Sequence, residues 1–201
     1  MESSVALGAL SVVTGGVAYA IYITQTVRKS SVQPHPFSWL LWGLVTLVAY
    51  LVQRGQGGDA GSWVTVFTAG ACFLIGGLTL FKNHWRFSGF DWLSAGSGLF
   101  VLGFYVFAKD PTYSAIFATG ADVLGYGPTL KKGWAEPNKD SATSFALNGA
   151  KFVIALPALG SYSIATWLYP ATIAIVNSGV AAMLLLRRRR ISPPKAARIE
   201  L

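Results

Sequence analysis

Residues 121–151 read ADVLGYGPTLKKGWAEPNKDSATSFALNGAK, and the rest of the chain can be organised around this stretch. It places two ionisable residues, Asp122 and Lys151, inside otherwise apolar runs, with a short basic loop containing Pro137 between them. If the flanking runs are membrane helices, the stretch is a helix, a cytoplasmic turn and a helix, with one charge of each sign at mid-depth. Such a charge costs about 2.5–3.5 kcal/mol on insertion scales. We therefore expect the two charges either to pair or to face a water-filled cavity.

The composition indicates an integral membrane protein. Of the 201 residues, 53% are hydrophobic and only 12% are charged, whereas a soluble domain has about 25% charged residues. Because each membrane crossing takes about 20 apolar residues, the chain has room for about seven crossings and little else. The net charge of +8 would hint at nucleic acid in a soluble protein. In a membrane protein it reports orientation, so no nucleic-acid partner is expected.

Seven apolar runs, separated by polar turns, predict an all-α fold of the polytopic membrane class. They cover about residues 5–27, 37–53, 62–81, 90–108, 112–130, 141–158 and 162–186. The N-terminal MESSVALGAL has no basic region before its first apolar run, which argues against a cleaved signal peptide. The polar, proline-containing tail 191–201 is predicted to be disordered and cytoplasmic.

The basic residues predict the orientation in the membrane. With seven crossings, all Lys and Arg residues except Arg54, Lys109 and Lys151 fall on one side. Since Lys and Arg collect on the cytoplasmic side, we expect a cell (inner) membrane protein with its N-terminus outside and its C-terminus in the cytoplasm.

A weak internal repeat relates the two ends of the chain. A shift of 103 residues aligns Arg28-Lys29 with Lys131-Lys132, Pro34 with Pro137 and Ser38 with Ser141, and a shift of 104 aligns Thr24-Gln25 with Pro128-Thr129. This predicts two parallel three-helix repeats, 1–86 and 110–190, joined by a linker helix in 87–109, with their axis along the membrane normal. The alternative to a true repeat is a chance alignment, because any two basic loops between paired helices can be aligned in this way.

This 3+1+3 arrangement resembles the SWEET and PQ-loop transporter superfamily, as a distinct bacterial branch, and is similar in architecture to bacterial nicotinamide riboside transporters. The PQ-loop pattern has a Pro-Gln pair in the first helix of each repeat. Here Thr24-Gln25 keeps the glutamine and Pro128-Thr129 keeps the proline. Asn177, followed by Gly179, is similar to the asparagine of the SWEET pocket helix, but the third run has no matching asparagine.

The resemblance implies two helix bundles around a central pathway near the bilayer midplane. It implies a facilitator or proton-coupled carrier that moves a small polar metabolite, such as a sugar, an amino acid or a vitamin-like compound, by alternating access. A non-transporting membrane receptor or scaffold with the same fold is the alternative, and a membrane enzyme that uses Asp122 as a buried acid or base comes third.

Six residues are candidates for solute binding or coupling: Asp122, Lys151, Asn148, Asn177, Trp42 and Trp39. The two charged residues form either a gated site, which binds a polar solute or exchanges a proton, or a buried ion pair that fixes helix register. Indole rings and Asn amides together suit a small polar ring or an amino acid. Trp39 fits an interfacial anchor equally well.

Pro128 and Gln25 are the candidate hinge residues. Pro128, preceded by Gly125 and Gly127, removes a backbone hydrogen bond near the cytoplasmic third of the fifth run, and Gln25 lies near the matching position of the first. A kink with a purely packing role is the alternative, since neighbouring helices re-satisfy the freed carbonyl.

The chain carries no recognisable enzyme, metal or cofactor motif. It has no Gly-rich phosphate loop, no His-Glu zinc pattern and no Ser-His-Asp set, and the last apolar run lacks the lysine of a retinal protein. Cys72 lies within an apolar run, and His35 and His84 lie far apart. The expected partners are a small polar solute and the lipid bilayer, with a homo-oligomer left open.

Overall fold

The computed structural model describes residues 2–28, 34, 36–81 and 89–191, without the side chains of residues 28, 90, 91 and 94. Within these ranges the chain is all-helical and has no strand, as predicted. Its α-helices are α1 (Glu2–Arg28), α2 (Pro36–Gly55), α3 (Trp63–Leu80), α4 (Gly89–Ala108), α5 (Pro111–Ala135), α6 (Ala142–Ala155) and α7 (Ile164–Ile191). Short 3-10 turns occupy Asp59–Ser62, Pro137–Lys139 and Leu156–Ala158. The connections that contain His35 and His84, and most of the predicted tail, lie outside the described residues.

Local side chains account for the starts of α5 and α6. The Asp110 carboxylate accepts a hydrogen bond from the backbone N–H of Tyr113, 3.0 Å away, and Pro111 occupies the first helical position. The Ser141 hydroxyl accepts from the backbone N–H of Ser144. Both are N-cap arrangements that satisfy backbone donors otherwise left unpaired at a helix start.

The C-terminal ends of three helices differ from the predicted runs by three residues or more. α5 continues to Ala135, five residues beyond the predicted end at residue 130. α6 stops at Ala155, three residues earlier than expected, and continues as a 3-10 turn because Pro157 has no backbone N–H to extend the helix. α7 continues through the arginines to Ile191, where basic side chains complement the negative end of the helix dipole.

Among the described residues, four helical segments are long and apolar enough to cross a membrane: Glu2–Val27, Pro36–Gly55, Asp59–Leu80 and Ile164–Ile191. α6 has only 14 residues, about 21 Å at 1.5 Å per residue, and α5 includes Asp122 and two lysines. The distribution of side chains is inverted relative to a water-soluble protein. Phe107 is 86% exposed and Ile175 72% exposed, while Asp122 and Lys151 are buried. Buried polar groups and exposed apolar faces together are typical of a protein surrounded by lipid.

Six helices form a closed ring, and α4 packs on its outside. Around the ring the neighbours are α1, α3, α2, α5, α7 and α6, and α6 returns to α1. α4 lies against α2 and α5. The inner faces of the six ring helices therefore enclose a common interior.

One end of the ring, which we name the Gly61 end, is closed by the connections that follow α2 and α6. A Cβ atom on Gly61 would lie 2.7 Å from the backbone nitrogen of Leu159 and 2.8 Å from the carbonyl oxygen of Ala155. Only glycine allows the two connections to approach this closely. The opposite end, the Arg188 end, contains the α5–α6 connection and the last turns of α7.

Candidate functional site

A buried cavity of about 30 Å³ lies inside the ring. All six ring helices contribute to its walls, whereas no described side chain of α4 does. Every residue that lines it is buried. A volume of this size accommodates roughly two water molecules. The cavity is therefore a small, buried space at the centre of the helix ring.

The structure brings the six predicted binding residues to this one cavity. Asp122 comes from α5, Trp39 and Trp42 from α2, Asn148 and Lys151 from α6, and Asn177 from α7. Trp39 is only 5% exposed and packs edge-on against Trp42, with ring centroids 5.3 Å apart. The alternative of Trp39 as an interfacial anchor is therefore wrong, since an anchor needs contact with the membrane surface.

Lys151 is held by hydroxyl groups from two other helices. Its Nζ donates hydrogen bonds to Tyr19 Oη at 2.9 Å and to Thr68 Oγ1 at 2.8 Å. The same ammonium lies 4.2 Å from the centroid of the Tyr19 ring, at the distance of a cation–π contact. Lys151, Tyr19 and Thr68, from α6, α1 and α3, form what we name the lysine cluster.

Asp122 has its own set of partners on the other side of the cavity. Tyr169 Oη donates to Asp122 Oδ1 at 3.0 Å and lies 2.5 Å from Thr46 Oγ1. Asp122, Thr46 and Tyr169, from α5, α2 and α7, form the aspartate cluster. The indole Nε1 of Trp42 donates to the backbone carbonyl of Asp122 at 3.0 Å, which fixes this turn of α5 against α2.

Asp122 and Lys151 form no salt bridge with each other anywhere in the described structure. Of the two arrangements expected for these charges, the structure has the one in which both face a common cavity. Because each charge is solvated by neutral hydroxyls rather than by the opposite charge, both stay available to a third group inside the cavity.

The two asparagines differ in how far their hydrogen-bonding groups are used. Asn177 Nδ2 donates to Tyr126 Oη at 2.8 Å and to the Ile173 carbonyl at 2.9 Å. Asn148 Oδ1 is buried and has no hydrogen-bond partner among the described atoms. Asn148 and Lys151 are three residues apart on α6 and so lie on the same face. This face presents a free acceptor next to an ammonium donor.

The hydroxyl residues of the two clusters were not among the predicted site residues. Thr46 follows Trp42 by four residues on α2, and Tyr126, which lines the cavity outside the two clusters, follows Asp122 by four on α5. Residues four apart share a helix face, so this spacing from a predicted site residue was the available signal. The 103-residue shift aligns Tyr19 with Asp122, but this alignment did not lead to Tyr19 being predicted as a site residue.

The predicted hinge residues, Pro128 and Gln25, do not line the cavity. α5 continues through Pro128 to Ala135, and α1 continues through Gln25 to Arg28. Gly125 has a different role from the one expected. A Cβ at Gly125 would lie 2.6 Å from Trp42 Nε1, so this glycine makes room for the indole.

The arginines of α7 hold the α5–α6 connection at the Arg188 end. Arg188 donates to the carbonyls of Pro137 at 3.0 Å and Asp140 at 2.6 Å, and Arg187 donates to that of Trp134 at 3.1 Å. Burial raises the pKa of Asp140, although the backbone N–H of Ser141 and nearby positive charges act in the opposite direction.

No group of three His, Cys, Asp or Glu residues within the described ranges could hold a metal ion. Comparison with protein-family models, with curated proteins and with solved structures gives no significant match. Function is therefore inferred from the geometry of the ring and its cavity.

Proposed function

We propose that this protein is a membrane transporter that carries a small polar solute through its helix ring by alternating access. The observation that supports this is the buried cavity, which contains one charge of each sign and is walled by all six ring helices. Ionisable residues buried in a membrane protein are costly, and they mark solute and ion pathways. Transporters built from repeats place their sites near the midplane, where the repeats meet.

The proposal includes two parallel three-helix repeats, α1–α3 and α5–α7, with α4 as the linker. The order of helices in the ring supports it. Exchanging α1 with α5, α2 with α6 and α3 with α7 reproduces the same cyclic order. The exchange also moves the three helices of the lysine cluster onto those of the aspartate cluster. A SWEET or PQ-loop relationship is part of this proposal.

In this proposal all seven helices cross the inner membrane, with the N-terminus and the Gly61 end outside. The Arg188 end is then cytoplasmic, in agreement with the distribution of basic residues. The outward-facing apolar side chains of α4 and α7, Phe107 and Ile175 among them, supply the lipid contact.

The rival function is a non-transporting receptor or scaffold with the same fold, and the small cavity favours it. Ligand pockets usually have volumes of about 300–1,000 Å³, whereas this cavity has about 30 Å³. A transporter must therefore widen its ring to admit a solute. The Gly61 end must open for a solute to enter from outside, and a scaffold has no such requirement.

A reversible cross-link at the Gly61 end distinguishes the two functions. A Cβ on Gly57 would lie 3.2 Å from the Cβ of Ser161, slightly closer than the separation of about 3.5–4.5 Å found in disulfides. Gly57 has a φ of +79°, so a cysteine there is strained with or without the cross-link. We expect Gly57→Cys with Ser161→Cys, in a Cys72→Ala chain reconstituted in liposomes, to exchange a labelled solute when reduced. The solutes to be screened are sugars, amino acids and nucleosides.

Oxidation should stop this exchange, and reduction should restore it. The single Gly57→Cys chain, treated identically, serves as the control and should be insensitive to oxidation. Equal exchange by cross-linked and reduced protein would rule out alternating access at this end. If no solute of the panel is exchanged by the wild-type chain, the receptor or scaffold function is favoured.

A further inference from the structure

We infer that the solute is a small zwitterion, with its carboxylate on Lys151 and its ammonium group on Asp122. This inference rests on the proposed transport function and adds the chemical class of the solute. It follows from the hydrogen-bond donors and acceptors that the side chains around the cavity leave unused.

The lysine cluster leaves a donor for an anionic group. An ammonium has three N–H donors, and Lys151 uses two of them, on Tyr19 and Thr68. The third has no acceptor among the described residues. Since Lys151 is fully buried and has no carboxylate within salt-bridge distance, a carboxylate from a solute would supply the missing acceptor and the missing counter-charge.

The aspartate cluster leaves an acceptor for a cationic group. An ionised carboxylate can accept about four hydrogen bonds, and the Asp122 carboxylate faces neutral hydroxyls, with Tyr169 donating to Oδ1. No basic side chain of the described structure forms a salt bridge with it. A primary ammonium group offers both the charge and the donors that this wall lacks.

Asn148 points independently to a ligand with N–H donors. Its Oδ1 is buried without a partner, in a side chain that is only 7% exposed and that lines the cavity. Leaving a buried acceptor unpaired is unfavourable unless a donor arrives. The rings of Trp39, Trp42 and Tyr126, which line the cavity from α2 and α5, present π faces that attract cations.

The charges decide between classes of solute. An uncharged sugar would leave Asp122 and Lys151 each without a directly contacting group of opposite charge, and a solute with a single charge would supply one to only one of them. A zwitterion neutralises both at once. Because the cavity is small and its unpaired acceptor on Asn148 calls for an N–H donor, the solute is a small α-amino acid.

The experiment measures thermal stabilisation of the full chain in lipid nanodiscs by neutral L-α-amino acids, because a ligand bound to the native state raises Tm. Every amino acid that stabilises the protein is compared with two derivatives that each lack one charge, the methyl ester and the N-acetyl form. We expect at least one zwitterion to raise Tm and its derivatives to have no effect at the same concentration.

The variant Lys151→Met should bind that zwitterion at least tenfold more weakly than the wild type. It should also bind the zwitterion no better than the methyl ester. Lys139→Met, at an exposed lysine paired with Glu136, should bind like wild type.

Two results would overturn the zwitterion assignment. One is that no zwitterion stabilises the protein, and the other is that an uncharged sugar or a single-charge derivative stabilises it as well as the zwitterion does. In either case, solute exchange in liposomes still tests transport separately, so loss of the zwitterion assignment and loss of the transport function are distinguishable.

Discussion

The side-chain amide of Gln53 donates a hydrogen bond to the backbone carbonyl of Thr166, 3.1 Å away, four residues before Pro170. In a regular helix that carbonyl would accept from the N–H of residue 170, which proline lacks. Gln53, fully buried at the end of α2, therefore satisfies the acceptor that Pro170 frees. The contact joins α2 to α7 across the interior of the ring near the Gly61 end.

The stability cost of removing the Gln53 amide should depend on whether residue 170 is a proline. We expect Gln53→Leu to lower the free energy of unfolding by about 1–3 kcal/mol, because the Thr166 carbonyl stays buried without a donor. In a Pro170→Ala chain, the backbone N–H of residue 170 can donate to that carbonyl. Gln53→Leu should therefore reduce the free energy of unfolding by less in this background. Thermal unfolding of the four proteins gives the coupling energy directly. Equal costs in the two backgrounds would contradict the link between Gln53 and Pro170.

Gly125 should be intolerant of a side chain. A Cβ there would lie 2.6 Å from Trp42 Nε1, so Gly125→Ala must displace the indole and break its hydrogen bond to the Asp122 carbonyl. We expect a loss of about 1–3 kcal/mol. Gly120→Ala, on the same helix with nothing within 4 Å of the added atom, is the matched control and should be neutral or stabilising by up to about 1 kcal/mol. Similar Tm changes in the two variants would contradict this packing.

Lys151 and its partner Tyr19 should differ in their effects on stability and transport. We expect Lys151→Met to abolish solute uptake, with a loss of stability below about 1 kcal/mol, because the substitution removes the buried charge itself. Tyr19→Phe keeps the ammonium but removes one of its acceptors, and should cost about 1.5–3 kcal/mol. Uptake and thermal unfolding are measured on both variants, with Lys139→Met as control. Wild-type uptake by Lys151→Met would contradict a role for Lys151 in transport.

Asp140 should make stability depend on pH at the Arg188 end. Burial raises its pKa in the folded protein above the ordinary value of about 3.9, so the folded state binds the proton more tightly than the unfolded chain. Its stabilising contribution is therefore fully present below about pH 3.9 and is lost as the pH rises through the raised pKa.

Asp140→Asn should flatten the pH dependence of Tm over this window. The contacts of Arg188 should survive the substitution, because Arg188 bonds to the backbone carbonyl of residue 140 rather than to its carboxylate. An unchanged slope in the variant would show that Asp140 does not titrate as its burial requires.

The sequence by itself determined the all-helical class, the helices that the structure describes and their order. These depend on apolar runs and the polar turns between them, which are local along the chain. It also identified Asp122 and Lys151, because a charge inside an apolar run is visible without knowing what surrounds it. The early end of α6 at Pro157 and the continuation of α7 through its arginines also have local causes, but the apolar runs alone did not mark these two helix ends.

Only the tertiary structure decided the order of helices in the ring and the partner of each charge. Lys151 meets Tyr19, 132 residues away, and Trp42 meets Asp122, 80 residues away. Such contacts depend on how helix faces pack, and no local pattern specifies them. The sequence allowed Asp122 and Lys151 to pair with each other. Packing instead gives each charge its own hydroxyl partners, because hydroxyls from α1 and α3 reach Lys151 while one from α7 reaches Asp122.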